Sequence, residues 1–285
     1  IFFSRFKFIN YIKSKKKINF NKNDLSMVLN FLINNGIKDK DTIVLHSSLK
    51  GLSQKHIKPS EIIDGFMSIL GANGTICMPA SPKFKNATNI QDYITNYEDN
   101  DIYEYDVNRS STQTGLLPFL LSRKNGSIRS RHPINTMVAY GSLAKEICEN
   151  NPIDINSLPC GKNSSWDMCY KNNAWIIGFN LDLTHSLTMI HLAEDKYEKT
   201  WPIDNWYRNK NFLIKDKNFE EIKVLRERRP IWGTCHFAER TLCKDLINEK
   251  ILISSSINGV IIEIISSKKL IDYLKSRNTK GYPYY

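Results

Sequence analysis

The sequence predicts an α/β protein: a mixed central sheet flanked by helices, with an α+β C-terminal part packed on it. Three observations carry this. Apolar runs of strand length alternate with longer stretches whose apolar residues recur at helical spacing. At 285 residues, 41% of them hydrophobic, the chain can bury a sizeable core. No apolar run approaches the ~20 residues a membrane span needs. The expected division is a basic N-terminal segment over 1–22 and one α/β domain over 23–285.

Asn23 is placed to cap a first helix carrying Leu25, Val28, Leu29 and Leu32, and Gly36 to stop it. Thr42 to Leu45 reads as a buried strand. Pro59 opens a second helix with Ile62, Ile63, Phe66, Ile69 and Leu70, and Gly74 to Met78 is the next strand. From Asn86 to Asn108 stand Asp92, Glu98, Asp99, Asp101, Glu104 and Asp106 with no Lys or Arg. That segment reads as a long loop, either solvated or a negative wall for an amine. Gly115 to Arg123 is helical, Met137 to Tyr140 a short strand and Ser142 to Glu149 a helix. Trp175 to Phe179 is a strand, and Ser186 to about Lys196 a helix. After Trp201-Pro202 the texture changes. Residues 205–225 read as a meander of strands and 236–249 as a helix; Ile251 to Ile253 and Gly259 to Ile265 are strands, and Lys268 to Arg277 a last helix. The tail from Asn278 to Tyr285 is expected to be loosely held.

His191-Leu192-Ala193-Glu194 would set a base and a carboxylate on one helix face, although many solvated helix surfaces show the same spacing. A histidine near pKa 6.5 can take a proton at neutral pH, and a carboxylate on its far nitrogen would fix the tautomer. His46-Ser47-Ser48-Leu49 follows a strand directly, at the usual ligand end of an α/β sheet. Further along stand Gly74-Thr75-Ile76-Cys77-Met78-Pro79, Thr114-Gly115-Leu116-Leu117-Pro118 and Arg129-Ser130-Arg131-His132-Pro133. Pro159-Cys160-Gly161 is followed by Ser164, and Ile176-Ile177-Gly178 leads into Thr188-Met189-Ile190 and the His191 motif.

In this order, from about Leu25 to Phe237, these segments make the chain resemble the aminoglycoside 3-N-acetyltransferases, also called antibiotic N-acetyltransferases. The resemblance implies acetyl transfer from acetyl-CoA, as co-substrate and without a metal, to a small-molecule amine acceptor. It places His191 at the family's catalytic histidine and Glu194 at the motif acid, and it leaves open whether Glu194 or another acid orients the ring. It puts His46, Ser47, Ser48 and Leu49 beside the thioester and pantetheine of CoA, and Arg129, Ser130 and His132 on the cofactor side. Direct attack by the amine needs no acyl-enzyme, in keeping with the lack of a Gly-x-Ser-x-Gly elbow. Where some relatives place an acid against the acceptor, this chain reads Arg226-Glu227-Arg228-Arg229. The three arginines would repel a polycation and favour a phosphate. The expected acceptor is therefore an amino sugar, nucleotide-linked at best, with an aminoglycoside as the alternative.

Forty basic residues against 29 acidic give a net charge of +11. An AT-rich coding bias toward Lys, Asn and Ile accounts for this as well as a polyanionic partner does, and no zinc-finger, RNP or helix-turn-helix pattern supports nucleic-acid binding. The six cysteines form no C-x-x-C pair, so a zinc ribbon or disulfide scaffold is not expected, and a reduced, cytoplasmic setting fits best. The apolar and basic residues from Ile1 to Lys17 suit either weak contact with an anionic membrane surface or a helix packed on the domain. Ile1 in place of Met leads us to expect a natural start upstream. The oligomeric state is left open. Two rivals stand beside the transferase: a hydrolase using Ser47 or Ser48 with His191, and a basic membrane- or nucleic-acid-binding protein. His56, His185 and His236 read as satisfied surface or core histidines.

Overall fold

Three apolar runs become the parallel centre of one sheet. The structure, a computed structural model, describes residues 17–53, 55–84, 99–201, 203–217, 219–230 and 239–278. Strands β1 (Thr42–Ser47), β2 (Thr75–Pro79) and β6 (Trp175–Phe179) run parallel, with Val44 facing Cys77 on one side and Ile176 on the other. Antiparallel strands extend both edges: β5 (Met137–Gly141) and β4 (Ile128–Arg129) beside β2, and β10 (Val260–Ser266) and β9 (Leu252–Ile257) beside β6. The sheet order is β4-β5-β2-β1-β6-β10-β9.

Such a centre must be covered on both faces. Alternate residues divide between two cores, as the two-residue period of a strand requires. Ile43 and Leu45 join the cluster under α1 (Lys22–Asn34), α2 (Pro59–Leu70) and α3 (Leu116–Arg123). Val44 joins the cluster under α4 (Ala144–Cys148), α5 (Ser165–Lys171), α6 (Ile190–Lys196), α7 (Glu239–Asn248) and α8 (Ser267–Asn278). His46, two residues on, falls on the second face, where its ring stacks on Trp166 of α5.

A second sheet has the order β3-β7-β8, from β3 (Asp99–Asp106), β7 (Tyr207–Asp216) and β8 (Phe219–Arg228). β3 runs parallel to β7, and β7 and β8 form an antiparallel hairpin in register from Tyr207–Arg228 to Asp216–Phe219. Tyr103, Tyr105, Phe212, Ile214 and Leu225 make its own small core.

The expected layers are present, and several boundaries move. The first helix is capped by Asn21 and not Asn23: the Asn21 side chain accepts from the Asn23 and Asp24 amides, and Asp24 returns a bond to the Asn21 amide. Residues 17–22 belong with the domain, because the Ile18 amide donates to Gly51 O and Phe20 is fully buried; residues 1–16 lie outside the described residues. Part of the acidic segment expected as a loop is strand β3, in which Glu104 pairs with Lys215 and Asp106 accepts the Asn108 and Arg109 amides; residues 85–98 lie outside. The expected meander after Trp201 is the β7–β8 hairpin, while residues 231–238, including His236, and the tail from 279 lie outside. α5, seven residues capped by Ser164 through the Asp167 amide, is not among the helices expected from the sequence. Among the described residues no helix is long and apolar enough to cross a membrane.

Candidate functional site

α6 sets its first residues against the end of the β7–β8 hairpin. His191 and Glu194 share a face, as the i,i+3 spacing requires, and His191 Nδ1 lies 2.9 Å from Glu194 Oε2. Burial pushes the Glu194 carboxyl up, but His191 and Arg228 outweigh it and hold the group below its ordinary value. An ionised carboxylate only accepts, so the ring proton lies on Nδ1 and the lone pair on Nε2. Burial and then the Arg228 charge lower the His191 pKa, with Glu194 pulling the other way. A neutral imidazole at pH 7 results.

This pair lines a cavity of about 140 Å³ together with Asn135, Asp195, Glu227 and Arg228. Arg228 Nη1 lies 3.3 Å from His191 Nδ1 and 3.7 Å from Glu194 Oε1. With Nδ1 already donating to Glu194, the guanidinium acts on the ring as a charge rather than as a hydrogen-bond donor. Asp195 accepts from the Cys160 amide at 2.8 Å and from the Tyr207 hydroxyl at 2.6 Å, and burial pushes its carboxyl up to about 7.

The four-residue run 226–229 is drawn apart by strand alternation and by ion pairs. Arg226 closes on both Glu198 oxygens, with Nη1 at 2.5 Å and Nη2 at 3.3 Å, and on Ile155 O. Glu227 is gripped by Arg208 at 2.7 Å and Lys210 at 3.4 Å. The Arg229 amide donates to Trp206 O. The expected three-arginine phosphate surface is therefore not formed: Arg226 already holds a carboxylate, and Arg228 is held beside the histidine. The described part of the acidic segment likewise answers cations and amides of the small sheet.

A second cavity, of about 250 Å³, opens where β1 ends, lined by His46, Ser47, Thr114, Ser186 and Thr188 among others. The His191 amide donates to Thr188 O, so a single helical turn separates its wall from His191. His46 Nε2 is buried without a hydrogen-bond partner among the described residues, and burial pushes the ring pKa down to about 4. An orphaned ring nitrogen in the wall fits a ligand that supplies the missing bond. Ser48 is committed to the turn: its amide donates to Phe179 O and its hydroxyl accepts from the Lys50 amide. Leu49 packs on the core.

Arg129 gives Nη1 to Ser110 O at 2.6 Å and Nη2 to Ala80 O at 2.5 Å. The Ser130 hydroxyl accepts from the Met137 amide. His132 Nδ1 accepts from the Ile134 amide at 3.2 Å, which shapes the turn leading to Asn135 in the histidine cavity. The sequence pattern passed over Trp166 and Asn135, which bond through Trp166 Nε1 to Asn135 O and connect the wall behind His46 to the wall beside His191. Ser164 with Asp167, a helix-start pattern, was the available signal for Trp166. Among the described residues no group of three His, Cys, Asp or Glu side chains could hold a metal.

This geometry can be set beside known proteins. The aminoglycoside 3-N-acetyltransferase family model matches residues 44–277. Aminoglycoside N(3)-acetyltransferase IX of Micromonospora chalcea is 26% identical over 166 residues, covering 56% of this chain and 57% of its own. Aminoglycoside N(3)-acetyltransferase VII of Streptomyces paromomycinus is 23% identical over 164 residues, 56% of each chain. The chain thus aligns with little more than half the length of these curated relatives. Among solved structures, aminoglycoside acetyltransferase AAC(3)-Xa superposes with a TM-score of 0.71 at 16% identity, over 87% of this chain and 90% of that one. AAC-IIIb, in a binary complex with CoASH, gives 0.71 at 18% identity over 92% and 98%. At these identities the structures establish the fold. With the family model spanning both cavities and the helix that carries His191, the chain belongs to the aminoglycoside 3-N-acetyltransferase family.

Proposed function

We propose that the chain transfers an acetyl group from acetyl-CoA to the amine of a small acceptor, with His191 as the general base. The observation that carries this is the neutral His191, its Nδ1–H held by an ionised Glu194 at 2.9 Å, in the wall of a cavity one helical turn from a second cavity at the end of β1. His46, Ser47 and Thr188 would hold the thioester end of the donor, whose activated carbonyl supplies the chemistry. His191 Nε2 takes the proton that the amine loses on attack, and the released thiolate is the natural place to return it. The solved AAC-IIIb complex with CoASH supports this donor. The chain's setting in a reduced cytoplasm remains part of the same proposal.

The acceptor we propose is an amino sugar. Glu194 lies beside Arg228, Glu227 is paired with Arg208 and Lys210, and burial pushes Asp195 up to about 7, so the cavity wall carries little surplus negative charge for a polycation. With Arg226 and Arg228 engaged, a nucleotide link is no longer required. A second reading, an aminoglycoside acceptor, is favoured by the names of the curated relatives and by the structure of an AAC(3)-IVa variant in complex with apramycin.

The test is free-thiol release from acetyl-CoA with a panel of amino sugars and aminoglycosides. We expect thiol only when an amine is added. Thiol release without amine would support a hydrolase instead. His191→Ala should lower kcat by about 10²–10⁴-fold with CoA affinity near wild type, and near-normal turnover by the folded variant would remove His191 from the mechanism.

A further inference from the structure

A buried carboxylate on the far side of β6 from His46 lines neither cavity. Glu263 of β10 and His46 of β1 both stand opposite Gly178 of β6, one on each side, so the three form a row on one face of the large sheet. Gly178 has no side chain, and the segment after β6 lies down on it: a Cβ there would meet Leu181 O and the Leu183 side chain. Glu263 fastens this segment. Its Oε2 accepts the Leu183 amide at 2.6 Å, and its Oε1 accepts the Ser254 hydroxyl of the neighbouring strand β9 at 2.9 Å. The Leu183 amide opens a short 3-10 turn, Leu183–His185, for which Asp182 at the cap position makes no side-chain bond. The cap comes instead from a strand 80 positions further along the chain.

Glu263 is a costly way to satisfy one amide. It is buried, no Lys or Arg pairs with it among the described residues, and burial pushes its carboxyl up against the pull of the two hydrogen bonds. Stability alone gives no reason to keep a carboxylate under these conditions. The segment it fastens does: Leu181, Ser186 and Thr188 line the β1 cavity, and Thr188 O receives the His191 amide at the start of α6. We infer that Glu263 is a positioning residue, which caps the 183–185 turn and so fixes both the wall of the β1 cavity and the start of the helix that carries His191. Its effect on the reaction rests on the transferase reading, whereas its hold on the segment rests on the geometry alone.

The experiment compares the full chain with Glu263→Met and Glu263→Gln. Met fills similar space without an acceptor for the amide; Gln keeps one oxygen for Leu183, and its NH2 can donate to the Ser254 hydroxyl. Amide hydrogen exchange reads the segment directly. Loss of a bond to a charged acceptor should quicken exchange over 181–188 about tenfold or more in Glu263→Met, with α8 and β1 as protected as before, and Glu263→Gln should stay within about twofold of wild type. Thiol release with the amines of the panel above reads the reaction. KM for acetyl-CoA should rise and kcat fall in Glu263→Met while KM for the amine holds, and Glu263→Gln should restore both; a smaller folded fraction would lower kcat alone. Unchanged exchange in Glu263→Met would overturn the inference, as would loosening spread evenly over α8 and the large sheet, or a Gln variant as impaired as Met. If no amine elicits thiol release from wild type, the transferase reading fails, and the exchange measurement still decides whether Glu263 holds the segment.

Discussion

His191 owes its readiness to neighbours at very different distances along the chain. Glu194 is one turn away and legible from the sequence, because helical geometry fixes what i and i+3 can do. Arg228 is not legible: it reaches the ring from the end of β8, 37 positions on, and only the hairpin register places it there. From the sequence it reads as one of three arginines awaiting a phosphate. In the structure it is the second cause of the lowered histidine pKa, after burial. Arg228→Gln should therefore raise the pKa of the base and shift the acid limb of the kcat/KM profile to higher pH. At pH 6 the variant should lose more activity than at pH 8, as more of the ring is protonated. A uniform loss at all pH values would mean that Arg228 shapes the cavity rather than the titration. Ser48 shows the opposite limit of sequence reading. Its motif position was visible, but its amide and hydroxyl are both committed to the turn.

At the scale of elements, the strands of the large sheet and the long amphipathic helices were readable, because periodicity reports burial directly. β3 was hidden because its acidic residues face ion pairs and turns on the small sheet, and an acid-rich run suggests solvent before it suggests a strand. Gly178 shows how tightly an element and the site loop are joined. A Cβ there would lie 2.5 Å from Leu181 O and 3.2 Å from Leu183 Cγ, at the start of the segment that leads to Thr188 and His191. Gly178→Ala should cost about 1–3 kcal/mol by overpacking. Because backbone and not a flexible side chain must move, it should also weaken CoA binding, measured by titration, more than an equally destabilising substitution in α8. Equal effects would separate the loop from the β1 cavity.

For the molecule as a whole, His46 and His132 are both pushed down to about 4 by burial, whereas in the unfolded chain each titrates near 6.5. Below pH 6.5 the unfolded chain binds protons that the folded chain refuses, so each histidine lowers stability as the pH falls, by about 2 kcal/mol at pH 5. Asp195, pushed up to about 7, works in the opposite direction over the same window, since its folded form keeps a proton that the unfolded form releases. A difference measurement isolates one term: His132→Asn should melt with a shallower fall in Tm between pH 6.5 and 5 than wild type, and parallel curves would show that His132 does not titrate on unfolding. Saturating CoA should act on the same equilibrium from the ligand side, raising stability by about 2.7 kcal/mol at a hundred times its Kd, and an unmoved Tm would count against CoA as a ligand. The parallel pairing of β3 with β7 bears on the order in which all this is assembled. Its partners, such as Tyr103 and Phe212, are separated by about 110 residues, so closing that pairing costs loop entropy that local helices and hairpins avoid. Refolding should then run in two stages. Helices and hairpins would recover first, and the two long-range parallel pairings, β3 with β7 and β1 with β6, whose partners Ile43 and Trp175 lie still further apart in sequence, would close last. The chain would regain its helical signal before His191 acquires its final pKa.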